Sequence, residues 1–372
     1  MSIGIRENGR RQQGWWRALA LLLALGLLAA ACGDDDDDTA AGNDSGGGSA
    51  SADANAEPSG SLKLGYFPNV THAPAILGVQ EGLFEEAEGD GVEVSYSTFN
   101  SGTEASEAIL SGSIDATFIG PNPAINAFSQ SDGAIKIVAG TTSGGAALVV
   151  NDEIQSPEDL EGKTLASPDL GNTQDVALRF WLKDQGYDVD ESGGGDVSIT
   201  PQENADTLTT FQDGTIDGAW VPEPWATRLV EEGGGHVLVN EADLWPDGQF
   251  VTTHLIVRTD YLEEHPANVR ALIDGLLDAI DEANADDPTD AQNTVNDGIE
   301  EVTTKRLDEA TIQGAWENLT FTADPIASSL EESKDHAVEV GLLDDVDLDG
   351  IYDLTILNQA LADRGEEEVA GL

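Results

Sequence analysis

Three short segments place hydrogen-bonding residues directly before a helical pattern. Gly171-Asn172-Thr173-Gln174 precedes an amphipathic stretch, Asn122 stands before Pro123, and Phe67–His72 is a polar turn carrying Asn69 and His72. Asn and Thr are natural N-caps, and Pro is favoured at the first helical position. The free N–H groups of such a helix end, with the positive pole of its dipole, form an anion site that needs no Lys or Arg. Three of them converging on one crevice suit a sulfonate, nitrate or carboxylate. As alternatives, Asn172 and Asn122 only cap their helices, His72 is a capping or hinge-side histidine, and Phe67 is plain core. Glu223 lies between two prolines and is followed closely by Trp225. A carboxylate there repels a simple anion and suits an ammonium, with Trp225 adding a cation–π face. An anion hole on one side and Glu223 on the other fit a zwitterion; alternatively Glu223 caps the next helix or pairs with Arg228. Lys63, Lys136 and Lys163 fall at strand starts and Arg179 lies well inside its helix, so a highly charged anion such as phosphate is disfavoured.

Other chemistries find little support. There is no Gly-x-Ser-x-Gly elbow, no His-Glu-x-x-His helix and no phosphate loop ending in Gly-Lys-Ser/Thr. The histidines at 72, 236, 254, 265 and 336 show no metal-ligand spacing. Asp345-Val-Asp347-Leu-Asp349-Gly350 copies the start of a calcium loop, but Ile356 stands where a bidentate Glu is needed. No catalytic residue, metal or cofactor is expected, and a single Cys excludes a disulfide framework.

The elements that must position these residues form a repeat. Gly112–Pro121 and Gly214–Glu223 share a small polar turn and a short apolar run that breaks at Pro, at an offset of 102. Each follows a helix pattern, Glu104–Leu110 or Asp206–Phe211. Lys63–His72 matches Lys163–Gln174 in the same way. Helix, turn, buried parallel strand and loop, occurring twice, predict two similar α/β lobes. Their ligand belongs in the crevice beyond the strands' carboxyl ends. Expected strands are Leu62–Tyr66, Val92–Thr98, Ile114–Ile119, Lys136–Ala139, Lys163–Ala166, Asp196–Thr200, Ile216–Val221 and His254–Arg258. A single helix is expected over His72–Glu86. Beyond residue 266 the pattern is helical.

The N-terminus is organised differently. Arg6, Arg10, Arg11 and Arg17 precede the apolar run Ala18–Leu28, and Ala29-Ala30-Ala31 leads to Cys32, the only cysteine. That is the order of a secretory signal. It resembles a bacterial lipobox, with Cys32 the acylated first residue. After Gly33, five consecutive Asp open a segment that continues to residue 61 with Gly, Ser, Ala and Asn, too apolar-poor to order alone. The expected organisation is a signal peptide at 1–31, an acidic tether at 32–61, one lobe at 62–145 plus 255–372, and a second at 146–254. Hinges are expected near Thr141–Gly145 and Thr252–His254. The net charge of −55 excludes a nucleic-acid footprint and any membrane adhesion except through a lipid anchor. It reads as adaptation to a salty habitat.

Several segments resemble solute-binding lipoproteins of ABC importers in the nitrate/sulfonate/taurine group. They are Leu64–Pro74, Phe99-Asn-Ser-Gly102, Gly112–Pro123, Leu170–Asp175 and Trp220-Val-Pro-Glu-Pro-Trp225, and the likeness spans residues 62–345. The resemblance implies a two-lobed type II periplasmic-binding-protein fold, here with a helical C-terminal extension. It also implies an extracytoplasmic, membrane-anchored monomer that captures a small anionic or zwitterionic solute by cleft closure. An organosulfonate, either an alkyl sulfonate or taurine, is expected, for delivery to an ABC permease and ATPase. Nitrate, bicarbonate or a thiamine-precursor pyrimidine, or a ligand-presenting sensor role, are the alternatives. Asn100, Gly120 and Pro121, with Thr142 and Ser143 at the first crossover, complete the expected ligand-binding set.

Overall fold

The computed structural model describes residues 53–372. The expected signal peptide, the acylated Cys32 and the tether as far as residue 52 lie outside the described residues. Residues 53–61, expected as the last part of the tether, are described with the fold, and Gly60 and Ser61 already belong to its first strand. Ser59 is clamped by Asn268, which donates to its carbonyl and accepts from its N–H, both at 3.1 Å.

Two sheets divide the chain. Strands β1 (Gly60–Tyr66), β2 (Val92–Thr98), β3 (Ala116–Ile119) and β4 (Ile135–Gly144) open the first. The second holds β5 (Ala146–Val150), β6 (Thr164–Ser167), β7 (Ser198–Pro201), β8 (Gly218–Pro222) and β9 (His236–Asn240). Then β10 (Val251–Arg258) and β11 (Leu319–Phe321) return to the first. The orders are β11-β4-β10-β3-β1-β2 and β7-β6-β8-β5-β9. The repeat is visible in them: β1 runs parallel between β2 and β3 as β6 does between β7 and β8, and an antiparallel strand follows in each, β10 or β5.

Helices cover both sheets, as parallel strands buried on two faces require. They are α1 (Ala73–Gln80), α2 (Leu83–Glu88), α3 (Gly102–Leu110), α4 (Pro121–Gln130), α5 (Thr173–Asp184), α6 (Asn204–Gln212) and α7 (Trp225–Glu231). The C-terminal extension adds α8 (Thr259–Glu264), α9 (Pro266–Ala283), α10 (Thr289–Thr303), α11 (Glu309–Glu317), α12 (Ala327–Glu339) and α13 (Thr355–Arg364). Most of it covers the first sheet, where α9 lays Val269, Leu272, Ile273 and Leu276 into one cluster with Leu62, Leu64 and Phe84. Two of its helices also reach the second lobe, α11 against α7 and α12 against α5.

Two expectations need correction. The helix expected over His72–Glu86 is two, because Gly82 takes a left-handed φ of 71° and ends the first. The first crossover falls at Gly144 and Gly145, both left-handed, inside the expected Thr141–Gly145. The second lies in 241–250, not at Thr252–His254, since Val251 already pairs with Ser143 in the first sheet. Strands β9 and β11 and helix α8 went unforeseen: β9 is a partly exposed edge and β11 spans three residues, so neither shows a clean apolar alternation. Among the described residues no helix is long and apolar enough to cross a membrane.

Candidate functional site

The carboxyl ends of β1, β3, β6 and β8 face one crevice between the sheets, a cavity of ≈ 40 Å³. Phe67, Asn69, Thr71 and His72 after β1, Asn100, Ser101 and Gly102 at the start of α3, Gly120 and Pro123 around the start of α4, and Thr252 line it from the first lobe. Pro168, Asn172, Thr173, Gln174, Asn204 and Pro222 line it from the second. Five helices begin at this crevice: α1, α3, α4, α5 and α6. Ser101 accepts from Glu104 N–H at 3.3 Å and Asn172 from Asp175 N–H at 3.0 Å, so both are true caps, and the remaining first-turn N–H groups stay available. None of the described lining residues carries a formal charge.

His72 is 3 % exposed and stacks on Phe67 with ring centroids 4.6 Å apart. Its Nδ1 accepts from Phe67 N–H at 3.4 Å, which leaves the proton on Nε2, a donor with no protein partner among the described residues. Burial lowers its pKa to about 3, so the imidazole is neutral. Asn69 accepts the Trp225 indole N–H at 3.0 Å across the two lobes, and its own Nδ2 has no protein partner among the described residues.

Asp175 in the first turn of α5 would oppose an anion at that helix end. It is neutralised by Arg179 at 2.9 Å, with both side chains buried. The carboxylate also accepts from Ser167 Oγ at 2.6 Å and from Gly171 N–H at 2.9 Å, which holds the Gly171–Asn172 turn in place.

Eight of the expected residues come together in the crevice: Phe67, Asn69, His72, Asn100, Gly120, Asn172, Thr173 and Gln174. Seven do not. Pro121 is the first residue of α4 and Asn122 the second, so Gly120 is the cap, and Asn122 donates instead to Ser333 O at 3.1 Å. Gly171 serves the turn. Thr142 is buried within β4, and Ser143 Oγ accepts from Phe250 N–H at 3.3 Å. Glu223 caps α7, accepting from Thr227 N–H and Oγ at 3.1 and 3.0 Å, and from Asn318 at 2.7 Å. It faces a separate cavity beside α11, where burial raises its pKa against the pull of the Asn318 and Thr227 hydrogen bonds. Trp225 has the Arg228 guanidinium 4.4 Å from its ring centroid, so its cation partner is internal.

Trp225 instead walls a second chamber with Pro68, Phe99 and Ala205, which shares Asn69, Asn100 and Asn204 with the crevice. Glu203, exposed just before α6, borders this chamber.

Four of the eight unforeseen lining residues, Thr71, Gly102, Asn204 and Pro222, had a signal. The offset of 102 relates Thr71 to Thr173, His72 to Gln174, Gly102 to Asn204 and Gly120 to Pro222. Both members of every pair line the crevice.

Known proteins share this arrangement. The chain is 26 % identical over 250 residues to the bicarbonate-binding protein CmpA of Synechococcus sp., covering 59 % of this chain and 53 % of that one. It is 31 % identical over 207 residues to the taurine-binding periplasmic protein of Escherichia coli K12, covering 55 % and 62 %. The match thus spans little more than half the length of these relatives. The solved alkanesulfonate-binding protein SsuA of Xanthomonas axonopodis pv. citri, bound to MOPS, superposes with a TM-score of 0.63 at 19 % identity, over 78 % of this chain and 96 % of that one. The fold is therefore that of the two-lobed type II periplasmic binding proteins. The NMT1-like family model matches residues 55–296, and the chain belongs to that family.

Proposed function

We propose that this protein is the extracytoplasmic solute-binding component of an ABC importer and that it captures a small organosulfonate by closure of its two lobes. The observation that carries this reading is the crevice itself. Neutral donors and five helix starts surround it without a Lys or Arg among the described lining residues. Such a site stabilises one negative charge and lacks the cations a phosphate dianion would need. The family and the binding proteins it resembles support a binding role over catalysis.

The second chamber favours an organic anion over nitrate or bicarbonate. Its apolar walls at Pro68, Phe99, Ala205 and Trp225 accept a short substituent whose head sits at the helix starts. Glu203 is the carboxylate that borders this space among the described residues, so the ammonium of taurine finds its partner there and not at Glu223. Delivery falls to a permease and an ATPase on other chains, with Cys32 as the membrane anchor.

Thermal unfolding of residues 53–372 with a panel of taurine, alkyl sulfonates, nitrate, bicarbonate and a thiamine pyrimidine tests the reading. A ligand at one hundred times its Kd adds about 2.7 kcal/mol, a shift of roughly 5 °C for a chain of this size. A shift with sulfonates is expected. A response to nitrate, bicarbonate or the pyrimidine alone replaces the solute and keeps the importer; silence removes both.

A further inference from the structure

We propose that Trp225 is a positioning residue for the solute's anionic head: its indole N–H pins the Asn69 amide so that Asn69 Nδ2 points into the crevice, and it does so only when the lobes are closed. This rests on the anion reading of the crevice and extends it to the coupling between closure and binding.

An Asn side chain has an accepting end and a donating end of nearly equal shape. Left free beside an anion site it can present either, and the accepting end repels. Among the described residues the Asn69 side chain has one protein partner, the Trp225 indole, at 3.0 Å. An indole N–H only donates, so it bonds Oδ1 and leaves Nδ2 for the crevice. Asn69 belongs to the β1–α1 turn of the first lobe and Trp225 opens α7 of the second. The bond therefore exists only while the two are together.

Trp225 is in turn held from within its own lobe. Arg228 lies 4.4 Å from its ring centroid and is buried, and Arg228 Nε pairs with Glu232 at 2.6 Å. A fixed indole thus selects the orientation of a ligand donor on the opposite lobe. In the open state that selection is absent, which lowers affinity there and ties solute binding to closure.

The test is a double-mutant cycle on the full chain, with methanesulfonate and nitrate as probes because neither carries a substituent that reaches the second chamber. Trp225→Phe keeps a ring beneath Arg228 and removes the N–H. It is expected to weaken both probes about tenfold, roughly one charge-assisted hydrogen bond. In an Asn69→Ala background the same substitution is expected to cost nothing further. Asn69→Asp, which still accepts the indole N–H but offers the anion a carboxylate oxygen, is expected to bind more weakly than Asn69→Ala. Equal losses from Trp225→Phe in both backgrounds overturn the proposal.

Hydrogen exchange separates the two layers. In the presence of methanesulfonate the Trp225 indole N–H resonance should be protected from exchange, and that protection should be lost without the anion and in Asn69→Ala. Equal exchange in both proteins overturns the pairing whatever the anions do. A protected indole in a protein that binds no anion overturns the crevice reading, and with it the ligand-donor role of Asn69, while the pairing stands.

Discussion

A buried imidazole held neutral makes a steadier hydrogen-bond donor for a monoanion than one that titrates near its working pH. Burial sets the pKa of His72 at about 3 and that of His254 at about 4. Affinity for a sulfonate should therefore stay flat between about pH 5 and pH 8, where an imidazolium site would tighten on acidification. Stability follows linkage. Both histidines favour the folded state above their ordinary value of 6.5, and that contribution is lost as pH falls toward 4 and 3. Glu88 and Glu241 act in the opposite sense: burial raises them to about 8 and about 7, so their contribution is full below 4.5 and is lost as pH rises through those values. The unfolding midpoint should peak between pH 4.5 and 6.5; a continued rise to pH 8 contradicts this. The two carboxylates near the site also separate by experiment. Glu203→Gln should weaken taurine several-fold and leave ethanesulfonate unchanged, whereas Glu223→Gln should leave both nearly unaltered; calorimetric titration of the two ligands decides it.

Helix starts are the elements that make the site, and two substitutions probe them. A Cβ at Gly120 would lie 2.6 Å from Thr173 Oγ1 across the crevice. Gly120→Val should prop the lobes apart, with affinity reduced at least about tenfold and the ligand-free unfolding midpoint little changed. Arg179→Met leaves Asp175 buried without its partner, a loss of roughly 3–5 kcal/mol of stability, and it restores a negative charge to the start of α5. Denaturant melts and anion titration of that variant should both show the damage. Much of this level was legible in the chain. The repeated strand-and-turn fixes where β3 and β8 end, and Asn172 caps α5 as its type suggests. What was not legible is direction. Nothing in Pro-Glu-Pro-Trp says that Pro222 borders the crevice while Glu223 faces the α11 side and Trp225 meets Arg228. Those choices depend on Asn318 and Asn69, which are distant in sequence and adjacent only after folding. Asn122 failed for a local reason, since the helix begins at Pro121, two residues before the Pro123 that suggested its start.

At the scale of the molecule, a net charge of −55 surrounds a site read as anion-binding. The field slows an approaching anion and strains the fold by self-repulsion. Salt shortens the screening length from about 10 Å at 0.1 M to about 3 Å at 1 M. The unfolding midpoint and the association rate of an alkyl sulfonate should both rise over that range. Taurine, with no net charge, should show little rate change in the same stopped-flow series; equal slopes would mean the field is not felt at the mouth. The clamp on Ser59 has a mechanical side. Asn268 grips the chain just before β1, and the strand then carries it to Phe67 at the crevice. A pull on the segment before residue 59 is thus borne at the end of β1 remote from the solute, by a helix of the same lobe and by the pairing of Gly60 and Ser61 with β2. The load does not cross either crossover between the sheets, so a mooring at this end would leave the proposed closure of the lobes unhindered.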